Sequence, residues 1–214
     1  MSERLILASA NPGKLRELSA LLGPHGFDLV TQNTLAIAAC PETAASFVEN
    51  ALAKARHASV HGGLAAIADD SGLVVEALGG EPGVRSARYA GDAATDAENT
   101  ALLLERLGDT PRARRTAYFY CVIVYLRGPD DPTPIICEGR WDGFILDAPR
   151  GDSGFGYDPI FYLPEIGHSA AQLDASAKNA LSHRGQAVRI LCARLVTGSV
   201  STGSGAVGPP AAML

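Results

Sequence analysis

The chain has 214 residues, 47% of them hydrophobic and 19% charged. That balance excludes wholesale disorder, and the length suits one domain with a sizeable core. Eighteen basic residues against twenty-three acidic ones leave a formal charge of -5, which argues against holding nucleic acid or an anionic membrane by bulk charge. A small anionic ligand remains compatible, because its site needs only local cations and backbone amides.

Leu5 to Ala8 reads as a short strand that breaks at Asn11-Pro12-Gly13. Leu15, Leu18, Leu21 and Leu22 then recur at helical spacing from Lys14 until Gly23-Pro24. The junction Ser9-Ala10-Asn11-Pro12-Gly13-Lys14 is the first candidate site. A strand end feeding a helix start offers N–H groups and a dipole to an anion, and a hydroxyl, an amide and a lysine add donors. The same residues also read as a plain helix cap, with Asn11 capping and Pro12 at the first helical position. Walker spacing is absent.

Phe27 to Thr31 reads as a second strand. Phe47, Asn50, Ala51, Lys54, Ala55 and Ala58 suit a helix running from Ser46 to Gly62-Gly63. Glu42, Glu49 and Asn50 lie near its start, where acids either face a metal or complement the dipole. Ala65 to Ala68 reads as a short buried strand ending in a turn at Asp69-Asp70-Ser71-Gly72, with Leu73 to Leu78 extended beyond it. Two adjacent carboxylates at a strand end suit Mg²⁺, or one of them suits activation of a water; an Asx-type turn is the alternative. Thr95 and Glu98 form a capping-box pattern opening a helix that runs to Leu107.

Thr116 to Leu126 is a long β run, and Pro134 to Phe144 is a second extended segment after a turn. Together they predict an antiparallel element, so the sheet is not purely parallel. The loop Gly151 to Pro159 sets Phe155 between glycines, a device for laying a ring against a nucleobase as well as a plain anchor. Ile160 to Tyr162 reads as a short strand. Ala177 to Leu195 reads as one helix on which Lys178, Ser182, His183 and Arg184 gather donors for a carbonyl or phosphate, or form an exposed polar face. Gly198 to Leu214 lacks periodicity and reads as a disordered tail, leaving residues 1–197 as a single domain. Cys40, Cys121, Cys137 and Cys192 contain no Cys-x-x-Cys pair, which points to free thiols rather than zinc or a disulfide framework. No stretch approaches ~20 apolar residues, so a soluble cytoplasmic protein without a membrane partner is expected.

In order and spacing, these segments resemble the inosine triphosphate pyrophosphatases, a family acting on non-standard purine nucleoside triphosphates. The motifs are Ser9-x-Asn11-x-x-Lys14, Glu42-Thr43 with Phe47-x-Glu49-Asn50-Ala51, Ala68-Asp69-Asp70-Ser71-Gly72-Leu73, Ser86-Ala87-Arg88-Tyr89, Gly154-Phe155-Gly156-Tyr157-Asp158-Pro159 and Ser182-His183-Arg184-Gly185. The likeness spans about Leu5 to Leu195. It implies an α/β fold with a long mixed central sheet, an antiparallel component and two α/β lobes around a nucleotide cleft. It further implies Mg²⁺, a homodimer, and hydrolysis of ITP, dITP and XTP to monophosphate and pyrophosphate, cleansing the nucleotide pool.

Carried over by position, the resemblance implies that Ser9, Ala10, Asn11, Pro12, Gly13 and Lys14 hold the triphosphate. Asp70 would be the general base and, with Glu42, a metal ligand; Asp69 is a further candidate for either role. Ser71, Phe155, Gly156, Tyr157, Asp158, Lys178, His183 and Arg184 would contact substrate, Phe155 by stacking and His183 with Arg184 at the keto edge. Donors suited to a 6-keto oxygen leave an adenine amino group facing another donor, a buried mismatch of about 1–3 kcal/mol. Rejection of guanine needs a separate exclusion of its 2-amino group. Ala10 and Ala44 stand where the family usually has glycine, and Ser9 and Ser46 replace usual threonines while keeping the hydroxyl. Alternative readings are a Maf-like pyrophosphatase of pyrimidine or modified nucleotides and a non-catalytic nucleotide-binding module. The acidic balance and the Asp69-Asp70 pair count against the second, and nucleic acid is not an expected partner.

Overall fold

The computed structural model describes residues 3–9 and 11–200. Its strands are β1 (Glu3–Leu7), β2 (Phe27–Thr31), β3 (Ala66–Val75), β4 (Thr116–Leu126), β5 (Ile135–Ile145), β6 (Phe161–Leu163) and β7 (His168–Ser169). The helices are α1 (Pro12–Leu22), α2 (Phe47–Gly62), α3 (Asp96–Leu107), α4 (Ala175–Leu181) and α5 (His183–Val200). The strands form one mixed sheet in the order β2-β1-β3-β4-β5-β6-β7. β1 runs parallel to β2 and β3, while β3 through β7 pair antiparallel. The expected mixed sheet with an antiparallel component is thus present, with the long β4–β5 pair as its centre.

Strand alternation assigns the layers. Ile67, Cys121 and Ile123 face α1 and α5, packing with Leu18, Leu22, Val188 and Leu191. Ala66, Ala68, Val122 and Val124 face the other way, onto Ala51, Ala55 and Ala58 of α2. A third cluster joins Leu73, Phe119, Trp141 and Phe161 to Leu103 and Leu107 of α3. Small residues on α2 let that helix lie close to the sheet, which brings its polar side chains near β3. The capping box at Thr95 and Glu98 forms as the spacing predicts.

Four features differ from the sequence reading. Asp69-Asp70-Ser71-Gly72 is not a turn, because β3 runs straight through it, pairing Asp69 with Ile123 and Asp70 with Val122 of β4. Continuous antiparallel pairing outweighs the turn preference of Asp-Ser-Gly. The extended run also stops at Val75, where Glu76–Leu78 turn into a 3₁₀ segment. The single helix expected over Ala177 to Leu195 is two helices, broken at Ser182, whose backbone is extended and whose hydroxyl accepts the Gly185 N–H at 3.1 Å. Ser182 therefore caps a new helix, and a Cβ on Gly185 would lie 1.8 Å from the Asn179 carbonyl oxygen, so glycine permits the tight corner. Finally, α5 continues to Val200, past the expected tail boundary at Gly198. The rest of the expected tail, 201–214, lies outside the described residues.

Candidate active site

β1 pairs with β3 only through Ile6–Ala66 and Leu7–Ile67. From Ala68 to Leu73 that edge of β3 has no strand beside it among the described residues, and a bridge resumes only at Val74–Pro82. A cleft of about 700 Å³ opens at this edge, lined by Ala8 at the end of β1 and by Asp70, Ser71 and Gly72 of β3. Because the cleft meets a strand edge, side chains from both sheet faces reach it. Its volume lies in the range of small-molecule sites.

On the α2 face, the Lys54 ammonium lies 2.5 Å from Glu42 Oε1 and 3.3 Å from Asp70 Oδ1. Asn50, one turn earlier on α2, donates to Asp70 Oδ2 at 3.2 Å. Arg88 donates to Glu42 Oε2 at 3.1 Å and to the Glu42 carbonyl at 2.9 Å. Burial raises the Asp70 carboxyl; Lys54 and Lys14 oppose that and Glu42 adds to it, leaving Asp70 above the ordinary value. Burial would also lower the Lys54 ammonium, but Asp70, Asp69 and Glu42 more than offset it, so the amine stays charged.

On the opposite face, Asp69 is fully buried and its Oδ2 meets Lys14 Nζ at 3.0 Å and Arg184 Nε and Nη2 at 3.2 Å. Burial alone would raise Asp69, yet Lys14, then Arg184, hold it well below the usual carboxylate range. Arg184 also donates to Ser71 Oγ at 2.8 Å and to Glu17. Glu17 in turn accepts from Lys178 at 2.9 Å, and Lys178 reaches Asp158 at 2.6 Å. A chain of alternating charge thus runs from Lys14 through Asp69, Arg184, Glu17 and Lys178 to Asp158.

The aromatic loop rests on the end of that chain. Asp158 Oδ2 accepts the Phe155 N–H at 2.9 Å, and Asp96 at the start of α3 accepts the Gly156 N–H at 2.7 Å. The Lys178 ammonium sits 4.8 Å from the Phe155 ring centroid. A Cβ on Gly13 would lie 2.9 Å from Phe155 Cδ1, so the glycine lets the ring lie against the α1 N-terminus. Tyr157 donates its hydroxyl to the Ser86 carbonyl at 2.9 Å. His183 stacks on Phe119 at 4.8 Å with an interplanar angle of 10°, and its Nδ1 is buried without a hydrogen-bond partner. Burial, with Arg184 and Lys178 nearby, keeps the imidazole neutral, so one ring nitrogen donates and the other accepts.

Ser9, Asn11, Lys14, Glu42, Asp70, Ser71, Phe155, Gly156, Tyr157, Asp158, Lys178, His183 and Arg184 all line the one cleft. Pro12 and Gly13 form the first turn of α1 behind it, where Asn11 caps by accepting the Gly13 and Lys14 N–H groups. The cap reading of this junction therefore holds, and its Ser9, Asn11 and Lys14 also line the cleft. Ala10 lies outside the described residues. Asp69 does not line the cleft and stands on the face opposite Asp70 and Glu42. Glu49 is exposed and bonds Ser46 at the α2 N-terminus, a purely helix-terminal role. Sequence reasoning named Asn50 and Arg88 in motifs without their partners, and missed the parts played by Lys54, Glu17 and Phe119. Only the burial of Asn50 and Lys54 on one face of α2 has a trace in the sequence, as an i, i+4 pair among alanines.

The donor set fits a magnesium ion. Glu42 and Asp70 already converge on one positive charge, that of Lys54, and two carboxylates with water and phosphate oxygens suit this cation better than a complete protein cage does. No cluster of three or more His, Cys, Asp or Glu side chains suited to a metal occurs among the described residues.

The Ham1 family model matches residues 5–194. The chain belongs to the Ham1 family. A dITP/XTP pyrophosphatase of Methylococcus capsulatus is 55% identical over 195 residues, covering 91% of this chain and 97% of its own length. A dITP/XTP pyrophosphatase of Burkholderia pseudomallei is 57% identical over 193 residues, covering 90% and 93%. Among solved structures, a HAM1 protein from Coxiella burnetii superposes with a TM-score of 0.84 at 47% identity, covering 92% of this chain and all of that one. The Ham1 protein of Staphylococcus aureus follows with 0.80 at 38% identity and the same coverage. Ham1 membership thus spans the whole cleft-forming part of the chain.

Proposed function

We propose that the protein is a hydrolase of non-standard purine nucleoside triphosphates, cleaving dITP, XTP and ITP between the α- and β-phosphates. The observation that carries this reading is a single cleft lined by the Ser9–Lys14 junction, the Glu42 and Asp70 carboxylates, and the Phe155 and His183 rings. Ham1 relatives named for dITP and XTP pyrophosphatase activity support it.

In this reading Lys14, Ser9 and Asn11 hold phosphate oxygens. Asp70, with its raised affinity for a proton and an open face to the cleft, takes the proton from the attacking water while the bond to pyrophosphate breaks. Asp69 is a poor choice for that role, since Lys14 and Arg184 hold it ionised and occupied. Glu42 and Asp70 would hold Mg²⁺, which supplies charge neutralisation on the phosphates. Phe155 stacks on the base, and the neutral His183 ring, which lines the same cleft, meets its edge. The protein acts as a homodimer in the cytoplasm, a reading supported by the family resemblance and by its free, largely buried thiols.

Product analysis across a panel of nucleoside triphosphates, with and without Mg²⁺, tests the proposal. Metal-dependent release of pyrophosphate and monophosphate from dITP, XTP and ITP ahead of ATP is the expected outcome. Preference for UTP would favour the Maf-like alternative, and binding without turnover a non-catalytic module. Sedimentation of the purified chain tests the dimer.

A further inference from the structure

Asp69 and Glu17 each touch two cleft-lining cations without lining the cleft themselves, and of the two only Asp69 reaches the α1 junction, through Lys14. A single oxygen, Oδ2, takes Lys14 Nζ, Arg184 Nε, Arg184 Nη2 and the Ser71 hydroxyl, the last at 3.2 Å. Lys14 belongs to the phosphate junction at the start of α1, whereas Arg184 begins α5 beside the base-facing His183 and lies 5.8 Å from the Phe155 ring centroid. Two elements more than 160 residues apart in the chain therefore share one anchor. Long cationic side chains lose much rotamer freedom when ordered, so a common carboxylate that fixes both lowers the cost of ordering them around a ligand.

We propose that Asp69 is a positioning residue, which orients Lys14 toward phosphate and Arg184 toward the base end and takes no part in proton transfer or metal binding. This role rests on the pyrophosphatase reading above. Its neighbour Asp70 faces α2, so the chemistry and the positioning are divided between consecutive carboxylates by the pleat of one strand.

Calorimetric titration of the intact protein in Mg²⁺ with inosine monophosphate and, separately, with pyrophosphate tests the role. Asp69→Asn keeps the shape but turns an anionic acceptor into an amide facing two cations. Both dissociation constants are expected to rise together by about tenfold or more, since both anchored cations lose a charged partner. If neither constant changes, or only one does, the positioning role is overturned. A metal ligand would move pyrophosphate alone, and a proton acceptor would move neither. Should Asp69→Asn fail to fold, Glu17→Gln decides the matter. It takes a shared carboxylate from Arg184 and Lys178, both at the base end, but leaves Lys14 on Asp69, so pyrophosphate affinity should stay within about twofold while inosine monophosphate weakens. Equal loss of both ligands in Glu17→Gln overturns the role. A wild-type protein that binds neither product overturns the functional reading, and this role with it.

Discussion

Asp69 and Asp70 are adjacent in β3 yet stand on opposite faces of the sheet, Asp69 against Lys14 of α1 and Arg184 of α5, Asp70 against Asn50 and Lys54 of α2. The two carboxyls consequently experience opposite electrostatics. Cations dominate around Asp69 and lower it; burial dominates around Asp70 and raises it. One stays ionised and engaged, and the other is suited to accept a proton.

Asp70→Asn should lower turnover of dITP on the order of 10²–10⁴-fold, the usual share of a general base. Inosine monophosphate should still bind, because Asp70 is not among the base-end residues. The paired measurement of steady-state turnover and product affinity checks this; equal loss of both would show that Asp70 acts on binding.

Lys54→Met should leave the Glu42 and Asp70 carboxylates without the ammonium that joins them. Removing one partner of a buried ion pair costs about 3 kcal/mol or more. Mg²⁺ should recover more of the melting temperature in this variant than in the wild type, since a cation returns to the same oxygens. Thermal melts with and without Mg²⁺ measure the difference, and equal shifts in both proteins would count against Glu42 and Asp70 as the metal pair.

Gly72→Ala should destabilise the fold directly. The new Cβ would lie 2.4 Å from both the Gly83 carbonyl oxygen and Ser86 Oγ, two groups with little room to retreat. Overpacking of this kind costs about 2 kcal/mol, which lowers the melting temperature by roughly 4–8 °C at this chain length. Differential scanning calorimetry reads it.

Acid should weaken the contribution of Glu17. Burial would raise this carboxyl, but Arg184 and Lys178 outweigh it and leave the folded value below the ordinary one. A depressed folded value stabilises the native state above the unfolded value, about pH 4.3, and the benefit fades as the pH falls through that value toward the folded one. The melting-temperature gap between wild type and Glu17→Gln should therefore be full at pH 6 and narrow progressively below about pH 4. A gap that widens on acidification would contradict the placement of Glu17 between two cations.

The sequence by itself determined the mixed α/β class, most element boundaries, the family, and many of the polar residues that line the cleft. Each of these is carried by local signals: periodicity, caps, and short motifs whose polar residues are adjacent in the chain. Helix caps such as Asn11 and Thr95 appear where spacing puts them because their hydrogen bonds span only two or three residues. Tertiary structure alone decided the rest. Asp69-Asp70-Ser71-Gly72 has the composition of a turn, and only pairing along β4 draws it into a strand and sends its acids to opposite faces. Lys54 binds Glu42 across 12 residues and Arg184 binds Glu17 across 167, distances at which ion pairing leaves no periodic mark. Which of two neighbouring carboxylates has the higher affinity for a proton thus depended on helices packed from three separate parts of the chain, because burial and nearby charge, not residue type, set that affinity.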